Sequence, residues 1–539
     1  MASASRKSTT SSAPFSLWLL AAVMLVTALV RLPLLNIPFE RDEGEYAYIA
    51  WRMNHGEVPY RDWVDQKPPA IFWVYRAAFA LPFPPVTAIH LVALLWSAAS
   101  ACALFYLARR FLDAVPAAIA AVLFAILLAD PMINGPAANT ELFMLLPLIL
   151  SQIVFLRVVA AARSKMLLAG LCGILIGCAI AFKQVAAVNW ALLVVLYPVF
   201  AAKAERTTRA TLTFAGASAL GIAVVWLVIA AWFFFHRGFD DFVYQVLTHN
   251  LQYVRSLTLA QRWGNFIQSC GRLRAAQLIT WGMAALSLTA SRTVCGWKWL
   301  AFVFGWFVTS FLGVSASGQF FPHYFQQLLP ALCLAAAIGA ERLIQARWGP
   351  ISQRIRRVTL TALLVLFPAW ALYPYLVTNS LATTLQKIYP KSYFEIIPAL
   401  AERLRQMTQP DDKVYIFGAE PELLFYARRV SATRYIFLFP LYGPYPHALE
   451  NQKKVAEEIF EARPAALVYA PQDAFFKPGM EQYLTQWTHE YLRSDYRADT
   501  FVCGVERKTV GLIAASDGLL PEVPSGTEVF AILLLRNTP

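Results

Sequence analysis

The segment 36–85 holds the residue types that are best suited to chemistry. An acid pair, Asp42 and Glu43, stands upstream of Lys67, which two prolines follow, and acids and aromatic residues are dense around them. A positioned carboxylate can take a proton from an acceptor hydroxyl or amine. An ammonium group can stabilise negative charge that grows on a leaving phosphate. The cluster predicts group transfer from a phosphate, although a solvated loop with an aromatic belt at a membrane interface explains any single residue here at least as well.

Two other polar groups stand beside apolar stretches. Glu141 opens one such stretch, and a carboxylate in that position is costly in a membrane and therefore a functional candidate. It could equally be a helix N-terminal carboxylate at a wet boundary. The segment 318–327 concentrates hydrogen-bond donors, among them Gln319, His323 and Tyr324, and could bind an anionic group. Lys183 adds positive charge on the same predicted face of the membrane as Lys67.

Composition indicates a polytopic membrane protein. Of the 539 residues 58% are hydrophobic and 15% are charged, and the mean hydropathy is +0.50, whereas soluble domains have about 25% charged residues. The net charge of +13 is explained by Lys and Arg in short cytoplasmic loops. Nucleic-acid binding is not expected, because no basic module studded with aromatic residues is present. The seven cysteines form no zinc pattern, but Cys270 and Cys503 could pair if both face an oxidising side.

Apolar segments of roughly 20 residues are long enough to cross the hydrocarbon core as helices. Eleven segments are predicted to do so, with the N-terminus inside and the C-terminal part outside, because the loops assigned to the inside are basic. Arg6, Lys7, Arg292 and Arg347 are among these basic residues. The short turn at Lys183 makes the fifth and sixth spans the least secure. The predicted spans are 15–35, 86–107, 114–131, 139–160, 167–183, 185–202, 211–235, 275–291, 299–315, 323–341 and 358–377.

The fold class predicted is therefore a polytopic α-helical membrane protein with a C-terminal soluble α/β domain. Residues 1–14 are expected to be a cytoplasmic tail, disordered over 1–12, and residues 15–379 the membrane domain, with outer loops 36–85 and 236–274. After residue 380 short β-rich runs alternate with helical patterns, which is typical of an α/β domain. Strands are predicted at 413–418, 435–439, 465–469 and 529–534, with helices at 393–407 and 451–462. Residues 46–51 are amphipathic and predict a short helix along the membrane surface.

At this point the sequence resembles membrane glycosyltransferases of the GT-C fold in the family 39 clan, which includes protein O-mannosyltransferases and the lipid A aminoarabinose transferase. The resemblance spans about residues 15–345, and the order and spacing of its short motifs make it fairly specific. The aminoarabinose transferase has Glu where this chain has Gln66, and the long insert of the eukaryotic mannosyltransferases is not recognised. The motifs are Arg31-Leu32-Pro33, Asp42-Glu43-Gly44-Glu45-Tyr46, Gln66-Lys67-Pro68-Pro69, Asn139-Thr140-Glu141, Phe182-Lys183-Gln184 and Pro322-His323-Tyr324-Phe325.

The resemblance implies an inverting glycosyltransferase that moves a hexose or pentose from a polyprenyl-phosphate donor to a lipid, glycan or protein acceptor. The reaction would take place on the extracytoplasmic side of a membrane, in a bacterium the inner membrane, among membrane lipids. Asp42 matches the first acid of the family's pair and is the expected general base. Glu43 is expected to help place the acceptor, and Glu141 to support the base or the acceptor.

Other matched positions are expected to bind the donor. Lys67 should contact the donor phosphate, with His323 and Tyr324 near it. Pro68 and Pro69 would hold the lysine rigidly, since proline fixes its own φ and restricts the residue before it. The pocket for donor and acceptor is expected to include Tyr46, Gln319, Lys183 and Tyr253.

No cofactor is certain from the sequence. The acids could bind a divalent cation, but oxygen ligands alone have no diagnostic spacing, so no metal ligand is assigned. Two alternative functions remain open. A transporter or flippase of a lipid-linked substrate would show internal repeats and polar residues near the midplane, and neither is visible. An enzyme similar to an O-antigen ligase or polymerase would be expected to have basic key residues in a large late loop.

Overall fold

The computed structural model describes residues 13–537, apart from 162, 273, 290–293, 347–350, 391, 477–478, 506–508 and 524. The expected N-terminal tail, with Arg6 and Lys7, lies outside the described residues, as do Arg292 and Arg347. The chain forms two compact units, one built from residues 1–36, 87–231 and 259–378 and the other from 37–86, 232–258 and 379–539. The second unit thus takes in two segments, 37–86 and 232–258, that lie in sequence within the membrane region.

The first unit is helical throughout its described part. Within the described residues, seven helices are long and apolar enough to cross a membrane, and three shorter apolar helices accompany them. Its helices are Ala13–Arg31, Pro85–Ala108, Ala114–Leu127, Thr140–Ala160, Lys165–Ile180, Ala187–Phe200, Thr208–Phe235, Leu259–Arg272, Arg274–Ser287, Trp297–Ser315, Leu329–Gln345 and Gln353–Tyr373.

Each of the eleven predicted spans overlaps one of these helices. The fifth and sixth spans are separate helices of 16 and 14 residues, joined by the short 3-10 turn Gln184–Ala186. Both are shorter than the roughly 20 residues that span a bilayer core. Large apolar side chains such as Leu212, Leu220 and Leu227 are exposed along the helix Thr208–Phe235, as expected of a surface that faces lipid.

Small residues allow the helices of this unit to approach closely. A Cβ atom on Gly173 would lie 1.9 Å from the carbonyl oxygen of Ser218, and one on Gly339 would lie 1.8 Å from that of Met283. Helix pairs in membranes commonly pack through such small residues, because they bring the two backbones together. All seven cysteines, including Cys270 and Cys503, are free thiols, so the pairing that the sequence left open is not formed.

The second unit combines short helices with one mixed sheet. Its α-helices are Arg41–Met53, Ala70–Ala78, Phe239–Val243, Asn250–Arg255, Leu381–Ile388, Ile397–Met407, Pro421–Ala427, Ala448–Ala462 and Tyr483–Asp495, with a π-helical turn at Tyr244–His249. Its strands are β1 Lys413–Phe417, β2 Val430–Ser431, β3 Ala466–Tyr469, β4 Tyr496–Val505, β5 Thr509–Ala514 and β6 Thr527–Arg536.

The sheet has the order β2-β1-β3-β6-β4-β5. Strand β1 pairs in parallel with β2 and β3, whereas β6 pairs antiparallel with β3 and β4, and β4 antiparallel with β5. Apolar side chains such as Tyr415, Leu467 and Val455 form a core beside it. The predictions of an α/β arrangement, of strands near 413–418, 465–469 and 529–534, and of helices near 393–407 and 451–462 are confirmed.

Two local predictions were wrong. Residues 435–439 do not form a strand; they bury Ile436 and Leu438 and run into the 3-10 turn Phe439–Leu441. The amphipathic run 46–51 is helical as predicted, but every residue of the helix Arg41–Met53 from Glu43 to Ala50 is buried. This helix is therefore enclosed within the second unit rather than laid along a membrane surface.

Candidate functional site

The start of the helix Arg41–Met53 fixes the acid pair. Glu40 and Glu43 form a capping box, in which Glu43 Oε2 accepts a hydrogen bond from the Glu40 backbone N–H at 3.3 Å. Such reciprocal bonds satisfy donors that a helix N-terminus otherwise leaves unpaired. Glu43 is 1% exposed, so this predicted second acid caps the helix. Asp42 lies in the first turn, where a carboxylate is favoured, and its side chain is 25% exposed.

A glycine allows this helix to pack closely against its neighbour. A Cβ atom on Gly44 would lie 2.3 Å from the Cβ of Glu422, which belongs to the helix Pro421–Ala427. No side chain fits at that distance, so only glycine allows the two helices to approach as they do. The close contact sets the position of Asp42 within the unit.

The backbone that carries Lys67 is held on both sides. The Tyr60 hydroxyl donates to the Lys67 carbonyl at 2.6 Å, and the Asn250 amide donates to the Gln66 carbonyl at 2.6 Å. The Lys67 N–H donates to Asp65 Oδ1 at 2.9 Å. The two prolines that follow the lysine restrict its backbone further. Hydrogen bonds on both sides thus fix the backbone of Lys67.

The side chain of Lys67 joins two carboxylates of the helix. Its ammonium nitrogen lies 3.2 Å from Asp42 Oδ1 and 2.8 Å from Glu45 Oε2, and 4.9 Å from the centroid of the Tyr46 ring. Lys67 is 22% exposed and Glu45 only 2%. Asp42 and Lys67 are therefore the members of this cluster that a ligand can reach.

Burial and charge act in opposite directions on these groups. Burial alone would lower the pKa of Lys67, but attraction to Asp42, Asp65 and Glu45 outweighs it and holds that pKa well above its usual value. Burial raises the pKa of Glu45, and the nearby Asp65 raises it further. Burial also raises the pKa of Asp65, against the attraction of Lys67. Lys67 therefore stays charged, whereas the two buried acids resist ionisation.

Glu45 and Asp65 are the residues that the sequence-based site missed. Glu45 stands inside the motif that begins at Asp42, and Asp65 directly precedes the motif that begins at Gln66. Glu45 follows Asp42 by three residues, a spacing that brings helix side chains onto one face. That spacing was a usable signal for Glu45. Asp65 is 0% exposed, and nothing in a loop sequence distinguishes a buried aspartate from a solvated one.

The second unit also contains two of the predicted pocket tyrosines. Tyr46 is fully buried, with its ring edge-on to Phe72 and Tyr75, so its contribution is packing beneath Lys67. Tyr253 lies on the short helix Asn250–Arg255, whose first residue holds the Gln66 carbonyl. A pocket role for Tyr253 stays a prediction.

The first unit has an ionic cluster of its own. Glu141, at 0% exposure, pairs with Lys183 and accepts a hydrogen bond from the Thr140 hydroxyl at 2.8 Å. His323 Nε2 lies 3.9 Å from Glu141 Oε1, and the Lys183 ammonium lies 3.6 Å from the centroid of the Tyr324 ring. Four residues that were predicted separately, from three distant parts of the sequence, thus meet in one place.

Gln319 lies just before this cluster in the chain. Its neighbours Gly318 and Phe320 both have positive φ, 72° and 51°, so the segment makes a tight turn. The Gln319 backbone N–H donates to the Ser317 hydroxyl at 3.3 Å. The side-chain amide of Asn265 donates to the Gly318 carbonyl at 3.1 Å. The structure therefore shows a turn held by its backbone, and a ligand contact by the Gln319 side chain stays a prediction.

The part of the chain that the structure describes contains no cluster of typical metal ligands. No group of three or more His, Cys, Asp or Glu side chains there is placed to hold a metal ion. In the cluster around Asp42 the positive charge comes from Lys67.

A family model and several solved structures resemble this chain. Residues 66–232 match the family model described as dolichyl-phosphate-mannose-protein mannosyltransferase, a segment that includes Lys67, Glu141 and Lys183. No curated protein matches the sequence. The fold is similar to that of ArnT from Cupriavidus metallidurans bound to undecaprenyl phosphate, with 18% identity and a TM-score of 0.55 over 95% of this chain and 100% of that one.

A second fold match is the archaeal oligosaccharyltransferase AglB from Archaeoglobus fulgidus, in complex with an inhibitory peptide and a dolichol-phosphate. It has 11% identity and a TM-score of 0.52 over 96% of this chain and 75% of that one. At such identities the likeness shows the fold. The chain is an integral membrane protein with the GT-C architecture, and the predicted fold class is confirmed.

Proposed function

We propose that this protein is a glycosyltransferase that moves a sugar from a polyprenyl-phosphate donor to an acceptor at the membrane surface. The observation that carries the proposal is the 3.2 Å pair of the Asp42 carboxylate and the Lys67 ammonium, both partly exposed. One group can accept a proton and the other can bind a phosphate. The match over 66–232 to the mannosyltransferase model supports this function. So do the lipid phosphates bound in the two similar structures, ArnT and AglB.

The proposed reaction is a direct displacement at the anomeric carbon. The acceptor hydroxyl or amine attacks that carbon and gives its proton to the Asp42 carboxylate. The bond between the anomeric carbon and the phosphate oxygen breaks, and its electron pair leaves with the polyprenyl phosphate. Lys67 stabilises the growing negative charge on that phosphate. A single displacement inverts the anomeric configuration.

The remaining predicted site residues have roles within the same proposal. Glu141 would support the acceptor or the base, and His323, Tyr324 and Lys183 would contribute to donor binding. Glu43 is proposed to act only through the helix start, because its carboxylate is engaged in the capping box. The Glu141 and Lys183 pair, which is fully formed in the described chain, fits a site built around opposite charges.

The identity of the sugar and of the acceptor belongs to the same proposal. A hexose or pentose donor and a lipid, glycan or protein acceptor are all compatible with the reaction. We place the reaction on the extracytoplasmic face of a bacterial inner membrane, because the basic residues of the sequence cluster in the loops assigned to the other side.

The test begins with cells that have and lack the gene. Mass spectrometry of polyprenyl-phosphate sugars is expected to show one donor accumulating without the gene and to identify its sugar. That donor is then given to the purified protein in detergent, where release of polyprenyl phosphate is measured. Transfer that requires Asp42 supports the proposal. A protein that moves lipid-linked substrate across vesicles and releases no polyprenyl phosphate would be a transporter instead.

A further inference from the structure

Three carboxyl groups surround a single lysine in the second unit. Asp42 and Glu45 contact the Lys67 ammonium, and Asp65 accepts the Lys67 backbone N–H. If all three acids were ionised, the cluster would carry two net negative charges in a place where Glu45 is 2% and Asp65 0% exposed. Burying an ionised group without a partner of opposite charge costs free energy. The single charge of Lys67 neutralises only one of the three carboxylates.

The two buried acids both lie against Lys67. Glu45 contacts its ammonium and Asp65 its backbone N–H. One further oxygen of each acid, Glu45 Oε1 and Asp65 Oδ2, is buried and has no hydrogen-bond partner among the described residues. Carboxylates only accept hydrogen bonds, so two neighbouring ones can bond to each other only if one holds a proton. A proton between the two groups satisfies oxygens that the rest of the unit leaves unmatched.

Among the residues that the structure describes, no second cation faces this pair. The charged and titratable groups that face it are Asp42 and Tyr46 from the helix, and Lys67 and Tyr60 from the loop. Burial raises the pKa of Tyr46 and of Tyr60 well above the usual value, so both stay neutral. The charge of the cluster is therefore set by Asp42, Lys67 and the proton count of the pair.

We propose that Glu45 and Asp65 share one proton and act together as positioning residues, which keep the site at Lys67 able to accept a phosphate. The inference rests on the proposed function. With the proton in place the four groups sum to one negative charge. Without it they sum to two, and the added charge lies beside the ammonium that would bind the phosphate. Loss of the shared proton therefore weakens phosphate binding.

The direction with pH follows from this arrangement. The pair loses its proton as the pH rises, so the affinity of the wild-type protein for a lipid phosphate falls toward high pH. In Asp65→Asn the amide nitrogen can donate to Glu45 as the proton did, and the amide oxygen can still accept from the Lys67 N–H. This variant keeps one net negative charge at every pH. Its affinity for a lipid phosphate at high pH should therefore match that of the wild type at low pH.

The experiment measures binding of undecaprenyl phosphate to the full-length protein in detergent, with undecaprenol as the control that lacks phosphate. At about pH 9 Asp65→Asn is expected to bind the phosphate about tenfold more tightly than the wild type, and at about pH 6 equally well. The phosphate's own ionisation affects both proteins alike. Asp411→Asn removes the same charge at an exposed turn and should follow the wild type.

A gain of affinity is an outcome that structural damage would not produce. If Asp65→Asn bound undecaprenyl phosphate no more tightly than the wild type at any pH, the proposal that Glu45 and Asp65 share a proton would be wrong. Infrared spectroscopy supplies a readout without ligand: the band of protonated carboxyl groups should be weaker in Asp65→Asn than in the wild type and unchanged in Asp411→Asn. If wild-type protein bound undecaprenyl phosphate no better than undecaprenol, the proposed function would fail, while the infrared band would still decide whether the proton is shared.

Discussion

The Asp42 carboxylate lies 3.2 Å from the Lys67 ammonium, although 25 residues separate them in the chain. The helix Arg41–Met53 positions the Asp42 carboxylate, and a loop held at its own carbonyl groups positions the Lys67 ammonium. Each side chain is paired with the other, so the two opposite charges compensate each other. A phosphate that binds Lys67 would release the Asp42 carboxylate to accept a proton.

Replacing the proposed base should remove transfer and leave donor binding intact. Asp42→Asn is expected to lower kcat by about 10²- to 10⁴-fold, the usual contribution of general base catalysis. Binding of undecaprenyl phosphate should persist, because Lys67 is retained. Turnover and binding are measured on the same purified preparation, with Asp411→Asn as the charge-matched control. Wild-type turnover by Asp42→Asn would remove this residue from the mechanism.

Replacing the lysine should affect the donor far more than the acceptor. Lys67→Ala is expected to raise the KM for the donor about ten- to hundredfold, the value of a charged hydrogen bond. Lys67→Arg keeps the charge and should retain most of the affinity. Lys454→Ala, at an exposed helix position, serves as the control. Equal effects of Lys67→Ala on the donor KM and the acceptor KM would contradict a phosphate role.

The site could be predicted in part because its reachable residues belong to short recognisable motifs. Asp42 and Lys67 stand out by type and neighbours, and the structure brings them together. Glu43 has the same chemistry in sequence, but the helix start engages it in a capping box. Glu45 and Asp65 become special only through burial. Burial depends on which helices pack around a residue, which a single sequence does not state.

The fold could be predicted where periodicity was strong and failed where apolar runs were short. All eleven apolar segments overlap helices, since long apolar stretches have few alternatives. The run at 435–439 has the composition of a strand, but a short apolar run can be buried in irregular structure as well. Strands β4 and β5 were not predicted, because Arg497, Asp499 and Gly511 interrupt their apolar pattern. The pairing of β4 with both β5 and β6 compensates for this.

The contact between Gly44 and Glu422 predicts a stability effect in the second unit. Gly44→Ala would place a methyl group 2.3 Å from the Glu422 Cβ, so the two helices must move apart. Overpacking of this kind costs about 1–3 kcal/mol, and thermal unfolding in detergent should show a lower midpoint. Gly511→Ala is the matched control, because nothing lies within 4 Å of the Cβ it would add. Equal midpoints for the two variants would show that the helices do not pack this closely.

The ion pair of Glu141 and Lys183 in the first unit predicts that substitutions at the two positions have non-additive effects on the free energy of unfolding. Lys183→Ala leaves the fully buried Glu141 carboxylate without its partner, which typically costs about 3–5 kcal/mol when a buried pair is broken. The double variant Glu141→Gln with Lys183→Ala removes the orphaned charge and should be more stable than Lys183→Ala alone. A double-mutant cycle of unfolding free energies measures the coupling. Additive effects would mean that Glu141 and Lys183 contribute to stability independently.

The orientation proposed for the chain can be tested by placing cysteines on opposite sides. Glu457 is exposed on the helix Ala448–Ala462, and Arg110 is exposed in the turn after the helix Pro85–Ala108. Basic residues such as Arg110 concentrate in loops that stay in the cytoplasm. A membrane-impermeant thiol reagent should therefore label Glu457→Cys from the outside of intact cells, in a background without native cysteines. It should label Arg110→Cys only in inverted vesicles. The reverse pattern would place the C-terminal α/β region in the cytoplasm, and the proposed extracytoplasmic transfer would then have to move to the other face.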